Sequence, residues 1–148
     1  MNNLFLNAYL ESCKSFEIAM VGLMKSCEHC QKIGLKEDYS FNQTEAFDAL
    51  IIKLTRNSDV FFQQIIKGFF KLKGESGLFF IDKLNILEKM NVINDKEVLL
   101  QIKSFRNQAV HEYSYIDFQD LYPEAIDLTP KFQAIVADFM NYSKQDFS

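Results

Sequence analysis

Tryptophan is absent from this 148-residue chain, histidine and proline each occur twice, and glycine occurs five times. Both prolines, Pro123 and Pro130, stand late, so the first hundred residues hold few of the breakers that punctuate an all-β protein. Three cysteines are an odd number and fit a reducing compartment better than a disulfide framework. No stretch approaches the roughly 20 uncharged apolar residues of a bilayer span. The N-terminal MNNLFLNAYLESCKSFEIAM has neither the basic leader nor the unbroken apolar run of a signal peptide. The expectation is a cytoplasmic protein without a membrane segment.

What is plentiful is apolar: 48% of the residues, with 15 phenylalanines. That is enough for one globular domain over residues 1–148 with a substantial core. A net charge of −4 and a pI near 5.2 argue against a surface that is basic all over, as a general nucleic-acid glove would be. One local exception stands out. From Lys53 to Lys73 the chain carries Lys53, Arg56, Lys67, Lys71 and Lys73 against a single acid, Asp59; this is either a basic patch or a solvated face with its counter-charges elsewhere.

Cys27, His29 and Cys30 form CEHC, which invites a zinc reading that fails on counting. Zinc normally takes four ligands. Cys13 lies fourteen residues away, roughly 21 Å along a helix, and His111 is the only other histidine. No metal and no cofactor are expected.

Helical spacing of apolar residues runs from Leu4 to about Lys32, with Gly34 as a stop. A second long helix follows through Phe47, Leu50, Leu54, Phe61, Ile65 and Phe69. Asn42 or Thr44 is its expected cap and Gly74 its stop. Residues 78–90 read as a short third helix and 91–94 as a turn. Asn94 is the expected cap of a fourth helix that has Asp95 and Glu97 at its positive end. In the last stretch Pro123 suits a first helical turn, whereas Pro130 should kink or divide the helix, with Thr129 as a cap. The resulting fold class is all-α: an antiparallel up-and-down bundle of four to five helices, the last broken by proline.

The fourth helix carries FRNQAVHEY, residues 105–113. At about 100° per residue, Leu99, Ile102, Phe105, Ala109 and Val110 define an apolar arc. Arg106 and Tyr113, seven residues apart, fall inside it, while Asn107 and His111, four apart, form a neighbouring stripe. An arginine within an apolar arc needs an acid, a carbonyl or a phosphate, or must reach an edge by snorkelling. Glu112, Asp117 or a helix end are the candidates within its own chain.

Arg106-Asn107-Gln108-Ala109-Val110-His111-Glu112-Tyr113 resembles the R-N-x3-H-x-Y motif of the HEPN superfamily, in particular the HEPN toxins encoded beside a minimal nucleotidyltransferase antitoxin. The order of helices is also similar, since in that family the motif lies late in the penultimate long helix. The resemblance implies a metal-independent endoribonuclease that acts as a homodimer on RNA, not DNA. In it Arg106 binds the scissile phosphate, His111 acts as acid or base, and Asn107 orients His111 or the RNA backbone. RNA carries its own nucleophile, the 2′-hydroxyl, so proton transfer and charge stabilisation suffice. The resemblance further implies that the nucleotidyltransferase partner transfers AMP onto Tyr113, with Tyr115 close by, blocking the cleft with added negative charge. Glu112 adds negative charge within the motif. The alternatives are a non-catalytic HEPN module that binds a nucleotidyltransferase or a nucleotide, and a structural helical adaptor in which an acid of its own chain satisfies Arg106.

Overall fold

Tyr9, Cys13, Phe16, Met20, Leu23, Cys27 and Cys30 are all buried, and they succeed one another in steps of four and three. That spacing keeps a single apolar stripe on the first helix, α1 (Asn3–Ile33). The helix stops at Gly34, whose φ of +81° is open to glycine and whose N–H bonds to the Cys30 carbonyl at 3.0 Å. The computed structural model describes residues 3–112 and 118–147. No strand occurs among them, and none of their helices is long and apolar enough to cross a membrane.

A second rod runs without a break over residues 41–72: α2 (Phe41–Val60), a π-helical segment (Phe61–Ile66) and α3 (Lys67–Leu72). Its cap is neither Asn42 nor Thr44. Ser40 accepts from the Gln43 N–H at 3.2 Å, while the Gln43 side chain accepts from the Ser40 N–H at 3.0 Å, a reciprocal capping box. Arg56-Asn57-Ser58 does not interrupt the rod. The π segment has a cause in the sequence. Buried pairs recur as Asn57/Ser58, Phe61/Phe62, Ile65/Ile66 and Phe69/Phe70, a period of four. A straight α-helix would rotate that stripe by about 40° per step; the wider i→i+5 turn absorbs the drift and keeps all four pairs on the core.

The short α4 (Phe80–Lys89) leads through Asn91, at φ +59°, to α5 (Lys96–Glu112). Asp95 rather than Asn94 accepts from the first turn, taking the Glu97 N–H at 2.9 Å. A 3-10 turn (Phe118–Leu121) then opens α6 (Tyr122–Asp146).

Contacts between helices set their directions. Cys30 meets Ala46, Phe16 stacks on Phe61, and Tyr9 reaches Ile65, so α1 and the second rod run antiparallel. Asp59 meets Arg106, and Gln63 and Lys103 line one hollow, so α5 runs antiparallel to α2. Phe47 stacks on Tyr122, Phe61 meets Phe132, and Phe69 meets Phe139, which makes α6 parallel to the second rod. Four long helices therefore alternate down, up, down, up in chain order, with α4 a connector: the all-α bundle expected from the periodicity.

The expected division at Pro130 does not occur, because α6 continues through it. Proline within a helix costs about 3 kcal/mol. The residues on both sides, however, are committed to the core: Leu128 and Thr129 before it, Phe132, Ile135 and Val136 after it. Pro130 itself is exposed, so its ring disturbs no packed face. Thr129 caps nothing and instead donates its hydroxyl to the Ala125 carbonyl at 2.7 Å.

Candidate functional site

Leu99, Ile102, Phe105 and Ala109 are buried and hold one face of α5 against the bundle. Val110, placed in the same arc by spacing, is 48% exposed; it lines a hollow with Ile52, Thr55 and Phe118 instead of joining the core. Between core and solvent sits Arg106. Its Nε donates to Asp59 Oδ1 at 2.7 Å and its Nη2 to Asp59 Oδ2 at 3.3 Å, a bidentate fork across α5 and α2. Asp59 lies 47 residues back and is not among the acids expected from spacing; the Glu112 side chain and Asp117 lie outside the described residues. The one signal was its solitary position among the cations of residues 53–73.

The pair remains open to water, with side-chain exposures of 34% for Arg106 and 42% for Asp59. Screening holds such a pair to about 0–1 kcal/mol of stability. Nη1 of Arg106 also donates to Asn107 Oδ1 at 3.2 Å. Guanidinium has five N–H donors, and these bonds take three, which leaves one on each Nη for a further acceptor.

Asn107 is exposed, and its side-chain oxygen faces Arg106. In a single copy its oxygen is taken by this contact one residue away. His111 is exposed on the last turn of α5 and lines neither hollow that contains Asp59. Five residues after Arg106, it is turned about 140° from it around the helix. One copy of the chain thus brings Arg106 and Asn107 into contact and leaves His111 turned away from Arg106. Tyr113 and Tyr115 lie outside the described residues.

Asp59 stands where two hollows meet. One, of about 470 Å³, is largely apolar and includes Ile51, Ala109 and Val110. The other, of about 430 Å³, is polar and includes Gln63, Gln64, Lys103 and Asn107. The arrangement can present a half-tethered guanidinium to an anion from the polar side, with an amide beside it.

The cysteines belong to the core. Cys27 and Cys30 are buried on α1, and the Cys30 thiol donates to the Ala46 carbonyl at 3.4 Å. Burial pushes the Cys30 thiol up to about 11, with Cys27 adding to the rise and Lys53 opposing it. These are packed, protonated thiols. His29 is exposed, on the side of the helix away from them, and no group of side chains suited to a metal ion occurs among the described residues. No family model, curated protein or solved structure matches this chain.

Proposed function

We propose that this chain is a HEPN-type toxin: a metal-independent endoribonuclease acting as a homodimer and neutralised when a nucleotidyltransferase partner transfers AMP to Tyr113. The observation that carries the reading is the polar end of α5. There Arg106, Asn107 and His111 of the R-N-x3-H-x-Y motif all reach solvent, Arg106 and Asn107 line an open polar hollow, and Arg106 keeps two donors for a phosphate.

The separation of Arg106 and His111 on one helix is the reason for the homodimer. With two copies facing across a two-fold axis, the histidine of one supplies what the arginine of the other lacks. His111 of one copy removes the proton from a ribose 2′-oxygen, which attacks the adjacent phosphorus. The phosphorus–O5′ bond breaks, and the second histidine protonates the leaving oxygen. A 2′,3′-cyclic phosphate and a 5′-hydroxyl result. Arg106 offsets the charge that builds on the phosphoryl oxygens, and such proton transfers contribute about 10²–10⁴-fold. AMP on Tyr113 would add phosphate charge to the motif and compete there with RNA.

The test is cleavage of a labelled RNA panel in excess EDTA, using protein whose intact mass shows no AMP adduct. Cleavage by the native protein that disappears in His111→Ala, with a cyclic phosphate on the 5′ product, supports the reading; intact RNA across the panel sinks it. The Asp59 fork favours a second reading, a non-catalytic HEPN module or adaptor in which Arg106 is structurally satisfied. That reading expects His111→Ala and Arg106→Gln to impair partner binding with no cleavage to lose.

A further inference from the structure

Asp59, Gln63, Lys67 and Lys71 follow one another at four-residue steps along the second rod. The π turn that keeps the core pairs aligned does the same for this outer row. Asp59 and Gln63 line the polar hollow beside Arg106. Gln63, Lys67 and Lys71 line a second hollow of about 530 Å³, and the two share Phe62 and Gln63. The two hollows adjoin along the rod and together make a groove. Asp59 to Lys71 spans roughly 18 Å at 1.5 Å per residue. The facing wall brings Lys103 and Arg106 from α5 and Lys83 from α4.

Charge in this groove is one-sided. Against those five cations stand Asp59, already engaged by Arg106, and Glu75. Asp82 nearby accepts from the Phe79 N–H at 3.3 Å. Elsewhere Lys14, Lys73, Lys96, Lys131 and Lys144 each have an acid partner, while Lys25, Lys32, Lys36, Lys53 and Lys89 have none among the described residues but line no groove with other unpaired lysines. Lys67, Lys83 and Lys103 have none among the described residues; the Lys103 ammonium lies over the Phe80 ring, 4.3 Å from its centre. Burial lowers the pKa of Lys83, and the charge of Lys67 lowers it further, as expected of two ammonium groups facing each other without an anion. Phe79, at the rim, is 77% exposed.

We propose that this groove is a phosphate-backbone track for single-stranded RNA, running from Arg106 past Lys103 and Gln63 to Lys67 and Lys83, with Phe79 as a platform for an unpaired base. Cations that line a groove beside an exposed aromatic ring are the elements by which single strands are held without sequence preference. The track rests on the ribonuclease reading for the choice of RNA as polymer. It adds the side chains that hold the strand on either side of the scissile bond.

The experiment is fluorescence anisotropy with a labelled 2′-O-methyl oligouridine of twelve nucleotides, which binds but cannot be cut, over a salt series. The Lys67→Gln/Lys83→Gln protein should bind at least about tenfold more weakly. Its log affinity should depend on log salt with a slope shallower by about 1.4, because each phosphate neutralised on a single strand accounts for about 0.7 of that slope. Lys25→Gln/Lys32→Gln, on exposed positions of α1, carries the same change in net charge and should match the native protein. Circular dichroism checks that both variants are folded. Unchanged binding in the first variant, equal weakening in the second, or capture of phosphatidylserine vesicles but not RNA through Lys67 and Lys83 would each overturn the track. Parallel cleavage of ordinary RNA separates the two ideas. Binding through these lysines without cleavage removes the ribonuclease and leaves the track; cleavage with binding indifferent to the lysines does the reverse.

Discussion

The two sides of the second rod are built on opposite principles. Toward α1 and α6 it is aromatic and closed: Phe61, fully buried, stacks on Phe16 at 5.6 Å and meets Phe132 and Phe139 edge-on at 5.6 and 5.5 Å. Toward α5 it is polar and open, with a half-exposed ion pair between two hollows. The closed side gains stability from apolar area and dispersion, which tolerate no gap. On the open side the charges gain little stability from one another, and so remain available to an outside anion. Stability and the proposed anion contact therefore lie on different faces of one rod.

The contrast breaks most visibly at the aromatic hub. Phe61→Ala should cost about 3–5 kcal/mol, read as a lower midpoint in urea unfolding; a loss under about 1 kcal/mol would mean the hub is loosely packed. A subtler break is Gly68→Ala. A Cβ there would come within 2.7 Å of the Tyr9 ring, which is held by bonds from its hydroxyl to the Ile65 carbonyl and with Ser143. Burial raises the pKa of that hydroxyl. A loss of about 1–3 kcal/mol is expected, although alanine is intrinsically the better helix former by about 1 kcal/mol.

The smallest effect belongs to the open side. A double-mutant cycle of Asp59→Asn with Arg106→Gln should return a coupling of about 0.2–1 kcal/mol in unfolding stability. A coupling of several kcal/mol would turn the fork into a structural clamp and favour the adaptor reading.

Some of this was legible residue by residue. The all-α class follows from the 3.6-residue recurrence and the scarcity of breakers, and Gly34 and Gly74 end their helices where local chemistry says they should. Even the Ser40 capping box was present as S-F-N-Q, although Asn42 and Thr44 are equally good caps by residue type. The motif on α5 was legible as a pattern of residue types, whereas the partner of Arg106 was not. Sequence spacing carries no information on a partner 47 residues distant.

The amino-acid sequence by itself determined which segments are helical and which stripe of each is apolar, because both depend on neighbours within a turn or two. Only the tertiary structure decided that α6 runs on through Pro130, that a π turn realigns the second rod, and that Asp59 meets Arg106 above a lysine-lined groove. Each of those outcomes is a competition between a local preference and packing across the bundle. The core packing on both sides of Pro130, and the four-residue period of the buried pairs, outweigh what any single residue prefers.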